Sequence, residues 1–440
     1  MKKQEDRELF GSDFGFIIAC IGSAVGMGNI WLFPFRAGQL GGAAFLIPYI
    51  IFVVLIGYVG IVEEMSFGRA MQTGPLGAFK KATAMHGNNS GEFIGWIPVI
   101  GSLGIAIGYA IVVGWILKFT IGSFTGSMIG AENSGAYFGA IAGKFGSLGW
   151  HVMGLAITFI IMIAGISSGI EFVNKFMMPA FFVMFIILAI RAATLPGAGS
   201  GYAFLTQPDW TKLADPKTWV YALGQAFFSL SLAGSGTVVY GSYLSDKEST
   251  TKSAKYVAIF DTIAAILAAL VIIPSVFAYG IEPTAGPPLM FITMPMVFKE
   301  MPFGAIFAAI FFVAVLFAGV SSLINLFETP VEALQNKFKL SRLASVSIIL
   351  GLALLVGVFL ESGDNLGKWM DVVSIYVIPL GALLSAIMFF WVAGKDLVLK
   401  EIAKPQLEPA HSSFYIMGKY VFCGATLIVY ILGIFYGGIG

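Results

Sequence analysis

Long apolar runs, each near the thickness of a bilayer core, recur from residue 12 to residue 437 of this 440-residue chain. A hydrocarbon layer about 30 Å thick is crossed by roughly 20 apolar residues in a helix. Eleven runs of that kind separate at polar or Gly/Pro-rich breaks: 12–37, 41–70, 92–125, 148–167, 175–194, 217–244, 254–280, 303–334, 342–360, 369–394 and 413–437. A content of 58% hydrophobic and 11% charged residues, with mean hydropathy +0.89, lies far from that of a soluble domain. The chain reads as an all-α polytopic membrane protein, and its continuous runs exclude the short alternating strands of a β-barrel. The start, MKKQEDRELF, lacks a short apolar core with a small-residue cleavage site, so the first span is expected to act as its own insertion signal.

Lys and Arg set the expected orientation. With a cytoplasmic N-terminus, 17 of the 25 fall on inside segments, among them Lys2, Lys3, Lys80, Lys81, Lys247, Lys252, Lys337 and Lys339. An odd number of spans then places the other end outside, with segments 126–147, 195–216 and 281–302 extracellular and the Pro-rich EPTAGPP of the last dipping toward an outer vestibule. Cys20 and Cys423 fall within spans and suit packing; His86, His151 and His411 have no metal-site spacing. A net charge of +1 gives no reason to expect a nucleic-acid partner.

Two spans are interrupted. The first carries GSAVGMGNIWLFP (Gly22 to Pro34), and the sixth carries GQAFFSLSLAGSG (Gly224 to Gly236). Glycines alone suit close helix packing, but Ser23, Asn29, Pro34, Ser229, Ser231 and Ser235 add polar groups and a helix breaker at membrane depth. Irregular backbone there is tolerated only where it is buried or lines a cavity. If spans one to five and six to ten are two copies of one unit, the breaks occupy equivalent places, the pattern of a midplane site in an inverted-repeat transporter. A half-helix starting near Met27 would direct free N–H groups at an anion, and carbonyls released before the break would face a cation. A further anomaly is Asp261, inside YVAIFDTIAAILAALVIIP. An acid at a helix centre costs about 2.5 to 3.5 kcal/mol on insertion scales, so it marks function by default.

These segments, with GGAAFLIPY (Gly41 to Tyr49), GIEFVNKFMMP (Gly169 to Pro179), TLPGAGSGYAFLTQPDW (Thr194 to Trp210), YGSYL (Tyr240 to Leu244) and FAGVSS (Phe317 to Ser322), resemble the neurotransmitter:sodium symporter family, in its bacterial eleven-helix branch. The resemblance implies the LeuT-type fold: two inverted five-helix repeats, 12–194 and 217–394, with broken helices 1 and 6, and one extra span at 413–437. It implies a sodium-coupled amino-acid symporter of a bacterial inner membrane. A first sodium ion would be held by the Ala24 carbonyl, Asn29, Ser229 and Asp261, and a second by the carbonyls of Gly22, Val25 and Ala318 with the hydroxyls of Ser321 and Ser322. All are the oxygen ligands a hard cation requires.

By the same resemblance, the substrate carboxylate would meet the amides of Met27 and Gly28 and the hydroxyl of Tyr109. The amino group would meet the carbonyls of Ala24, Phe228 and Ser229 and the Ser231 hydroxyl. Ile105, Phe228, Gly234, Ser322 and Leu326 would wall the side chain; Gly234 stands where a bulky residue is common, which favours a large hydrophobic or aromatic amino acid, tyrosine first. Ser23, where monoamine carriers have an aspartate, argues against an amine lacking a carboxylate. Asp261, with Tyr49 and Gln225, would replace the chloride of chloride-dependent members, and its protonation on the empty return could add proton antiport.

Three positions depart from the family pattern. Leu32 replaces the outer-gate arginine although its acidic partner survives as Asp371. Arg7 and Phe10 stand at the inner gate, but the acid beyond span eight reads Asn336, leaving either a looser closure or a substitute in Glu332. The third is Gly234. A sodium channel and an amino-acid sensor on the same scaffold are the alternatives; an enzyme is not expected, since no nucleophile has an evident base.

Overall fold

The computed structural model describes residues 8–232, 235–281, 289–406 and 410–438, and among these no strand forms. Helix α1 (Asp13–Ala24) starts at Ser12, whose hydroxyl accepts from the Gly15 amide and satisfies one of the orphan donors of the first turn. It stops where Val25 turns extended, with ψ 105°. The chain resumes as α2 (Gly28–Gln39) at 49° to α1. The opening of α2 is a π turn over Gly28–Leu32, just ahead of Pro34, which has no amide proton to continue a normal ladder.

The long helices that follow are α3 (Ala43–Met71), α4 (Gly91–Thr125), α5 (Leu148–Ile163) and α6 (Ile166–Ala193). Next come α7 (Pro216–Ser229) and α8 (Gly236–Gly241), the two pieces of the second broken element. Asp215 caps α7 by accepting from the Lys217 amide, and Pro216 sits in the first turn, where its missing donor costs nothing. Between the pieces, Ser231 and Ser235 take φ of 55° and 51°, a left-handed conformation that non-glycine residues rarely adopt. The remaining helices are α9 (Thr250–Ala278), α10 (Gly304–Phe338), α11 (Arg342–Leu360), α12 (Gly363–Val392) and α13 (Ser412–Tyr436).

Eight of these helices are long and apolar enough to cross a membrane, and the bent pair α1 and α2 makes nine among the described residues. The sequence led to eleven, and the two that fall short do so for local reasons. Helix α5 has only 16 residues, because Gly165, at φ 93°, ends it and lets α6 begin at Ile166, well before the expected residue 175. The sixth expected span is divided by the break between α7 and α8.

Helix α4 forms the centre: its most apolar 18-residue window is 89% buried, against 33% for α6, α11 and α13 at the periphery. Helix α10 lies along α4, and α1 packs on α6 and α10. At one end of the bundle an aromatic layer closes over α4. Phe138, from the connecting helix Ser134–Ile141, stacks on Phe291 with centroids 5.0 Å apart, and both meet Trp115 edge-on. The segment EPTAGPP, residues 282–288, lies outside the described residues.

Candidate functional site

The two breaks face each other. Where α1 gives way to α2, the Ser231 hydroxyl donates to the Ser23 carbonyl at 2.9 Å, tying the second break to the first. Gly26 is a position where no side chain fits: an added Cβ would lie 2.5 Å from Ser322 Oγ and 2.6 Å from Tyr109 Oη. The Met27 amide donates to Tyr109 Oη at 2.9 Å. A phenol that accepts there keeps its own proton free to donate onward.

Asp261, on α9, is wholly buried. Its carboxylate accepts from Asn29 Nδ2 at 2.7 Å and from Ser229 Oγ at 2.8 Å, and Tyr49 also hydrogen-bonds it. Tyr49 Oη lies 3.4 Å from Ser229 Oγ, and Gln225 Nε2 donates to the Gly28 carbonyl at 3.0 Å. Every partner is neutral, and among the described residues no cationic side chain pairs with Asp261. A buried carboxylate with neutral partners alone is the environment that a cation relieves. Three of the four residues expected at the first sodium site, Asn29, Ser229 and Asp261, thus meet, with one difference. The Asn29 amide turns its nitrogen toward Asp261 and Ser229, while its oxygen accepts from the Gly26 amide at 2.9 Å. Presenting that oxygen to an ion requires the amide to turn over.

On the other side of α1, Ser322 Oγ lies 3.3, 3.3 and 3.1 Å from the carbonyl oxygens of Gly22, Ser23 and Val25. One hydroxyl proton cannot satisfy three acceptors, so buried oxygens are in surplus there, again a donor set that fits a hard cation. Ser321, its neighbour, bonds back to the Ala318 carbonyl at 3.0 Å.

At the helix breaks, beside Ser23 and Ser322 of the second cluster, lies a cavity of about 560 Å³, counted to its open mouth. Ser23, Ala24, Met27, Gly28, Ile105, Tyr109, Phe228, Ser231, Ser322 and Leu326 line it. Asn325 and Ile378 line it too, and sequence reading had missed both. Gly234 lies outside the described residues.

A family model described as the sodium:neurotransmitter symporter family matches residues 7–138 and 132–436. The chain belongs to that family. It is 38% identical over 329 residues to the sodium-dependent transporter YhdH of Bacillus subtilis, covering 74% of this chain and 72% of that one. A sodium-dependent transporter of Haemophilus influenzae is 29% identical over 98% of this chain and 99% of its own. The crystal structure of MhsT in complex with L-phenylalanine superposes with a TM-score of 0.87 at 34% identity, covering 97% of this chain and 99% of that one. The LeuT-type fold implied by the sequence is therefore the fold observed. The chain is a multi-pass membrane transporter that uses sodium, and not an enzyme.

The gate positions of this symporter differ in how they are held. Asp371 is exposed and forms no ion pair among the described residues, which agrees with the loss of an arginine at Leu32. Nearby on α2, Arg36 instead stacks over Tyr221 at 4.2 Å. At the other end Phe10 is buried and packs edge-on against Phe16 and Tyr240, with centroids 5.2 and 5.5 Å away; Arg7 lies outside the described residues. Glu332 accepts from Thr73 at 3.0 Å and from Asn336 at 3.3 Å.

Several buried acids were passed over in the sequence. Glu171, on α6, accepts from the Gly11 amide at 2.6 Å and the Ser12 hydroxyl at 3.0 Å, while the exposed Glu8 caps the start of α6 by accepting from the Ile166 amide at 2.8 Å. Glu63 and Glu64 are buried on α3, with Glu63 bonded to Ser385 at 3.0 Å. The signal that singled out Asp261, an acid within an apolar run, was equally present at Glu63 and Glu64, whereas Glu171 falls in the gap between the runs 148–167 and 175–194.

Proposed function

We propose that this protein takes up a hydrophobic or aromatic L-amino acid, tyrosine favoured, by sodium-coupled symport with alternating access, and that it does so without chloride. The observation that carries the reading is the wholly buried Asp261, held by neutral groups alone beside the cavity at the helix breaks. Two sodium ions and a zwitterion would bring net positive charge into a low-dielectric site, where it must be compensated. Asp261, supported by Tyr49 and Gln225, supplies a fixed negative charge in place of a chloride ion.

On this reading the first sodium ion binds at Ala24, Asn29, Ser229 and Asp261 and the second at Gly22, Val25, Ala318, Ser321 and Ser322. The substrate carboxylate is received at Met27, Gly28 and Tyr109, with Tyr109 donating its free proton. Its amino group faces the carbonyls of Ala24, Phe228 and Ser229 and the hydroxyl of Ser231, and Ile105, Phe228, Gly234 and Leu326 take its side chain. The phenylalanine in the MhsT crystal structure supports an aromatic substrate. The units 12–194 and 217–394 act as the two inverted repeats, with 413–437 added, in a bacterial inner membrane with the N-terminus inside.

Binding of labelled tyrosine to the purified protein tests this reading. Saturable binding in sodium chloride and equally in sodium gluconate, lost in potassium chloride, is expected. Binding that ignores sodium, or competes with no amino acid, contradicts it.

A further inference from the structure

A second cavity adjoins the one at the helix breaks. It measures about 500 Å³ to its open mouth and lies between α7, α12 and α13, with Ala382 and Gly433 on its wall. Phe228 and Ile378 line both cavities and so stand between them. The second cavity is lined by apolar groups apart from Ser374 and Thr426, and the Thr426 hydroxyl is spent on the Phe422 carbonyl at 2.8 Å. Gly433 shows the open space directly: it is buried, yet an added Cβ there would meet nothing within 4 Å. The dividing wall stands where both of its helices are irregular. Phe228 lies in the last turn of α7, directly before the break, and an added Cβ on Gly28 would meet its ring at 3.1 and 3.2 Å. Ile378 follows a π turn, Val373–Val377, and precedes Pro379, which has no amide proton for the helix ladder. Neither residue has regular helix on both sides.

We propose that the second cavity extends the substrate site, so that the protein also takes an amino acid with a fused two-ring aromatic side chain. The first ring occupies the space walled by Ile105 and Leu326, and the second passes between Phe228 and Ile378 into the cavity against α13. Single-ring amino acids leave that cavity empty. An apolar cavity stays dry when empty, and an apolar ring that enters it is removed from water at no polar cost. This inference rests on the amino-acid symporter reading above.

The test is displacement of labelled tyrosine by naphthylalanine, in sodium chloride, from the full-length protein and from the Gly433→Phe variant. That substitution fills the second cavity from α13 and lies off the wall of the first. The wild type is expected to bind naphthylalanine within about tenfold of tyrosine. Gly433→Phe should weaken naphthylalanine by about tenfold or more, while its tyrosine binding stays as in the wild type and reports that the fold and the sodium sites survive. A wild type from which naphthylalanine displaces no tyrosine, or a naphthylalanine-to-tyrosine ratio unchanged in Gly433→Phe, overturns the extension and leaves the symporter reading intact. Absence of sodium-dependent tyrosine binding to the wild type overturns both. If Gly433→Phe does not bind tyrosine, the Ile378→Ala variant, which thins the dividing wall, is measured in the same way; a ratio that does not move toward naphthylalanine there also overturns the proposal.

Discussion

Asp261 has no exposure and no cationic partner among the described residues, yet it sits within hydrogen-bond reach of three neutral side chains. If its charge does the work of an anion, Asp261→Asn should leave a site that needs one from solution. Sodium-dependent uptake in that variant is expected to become chloride-stimulated, whereas wild-type uptake is indifferent to chloride. Parallel assays in chloride and gluconate check this. Ser322 stands among three carbonyl oxygens at 3.1 to 3.3 Å. Removing its hydroxyl in Ser322→Ala should raise the sodium concentration for half-maximal substrate binding by about tenfold, the effect of some 1.4 kcal/mol. A sodium titration of binding at fixed amino acid reads it.

At the scale of elements, function depends on helices that stop. The break between α1 and α2 is kept open by close approach, and Gly26→Ala would place a methyl 2.5 Å from Ser322 Oγ. Sodium-dependent binding is expected to fall by more than about tenfold in that variant, since sub-ångström displacement of ligating groups is felt throughout a packed site. Gly149→Ala on α5, where an added Cβ meets nothing within 4 Å, is the control that should bind normally. A second element-level device is the anchoring of the segment before α1 on α6 through Glu171. Loss of that anchor in Glu171→Ala should speed thiol labelling of the buried Cys20 on α1, measured in a Cys423→Ser background.

For the whole molecule, hydropathy carried most of the architecture because each span needs a long apolar run and little else. The ends of α3, α4, α9, α11 and α13 fall within a few residues of the runs read from sequence. The α5 and α6 boundary did not, because Ala164 and Gly165 look no more polar than their surroundings and only the glycine's φ of 93° marks the turn. Asp261, Asn29 and the serines of the breaks were legible as polar groups where polarity is expensive. Asn325 and Ile378, which line the cavity, were not, since which residues of a helix face reach a cavity shows only once the neighbouring helices are packed against it.

Concentrative uptake of labelled tyrosine into proteoliposomes tests the central claim most directly, with an inward sodium gradient set against a potassium control and chloride replaced by gluconate throughout. Accumulation above equilibrium that requires the sodium gradient and proceeds fully in gluconate is the predicted result. Equilibration without accumulation, or accumulation that depends on chloride, would contradict the account.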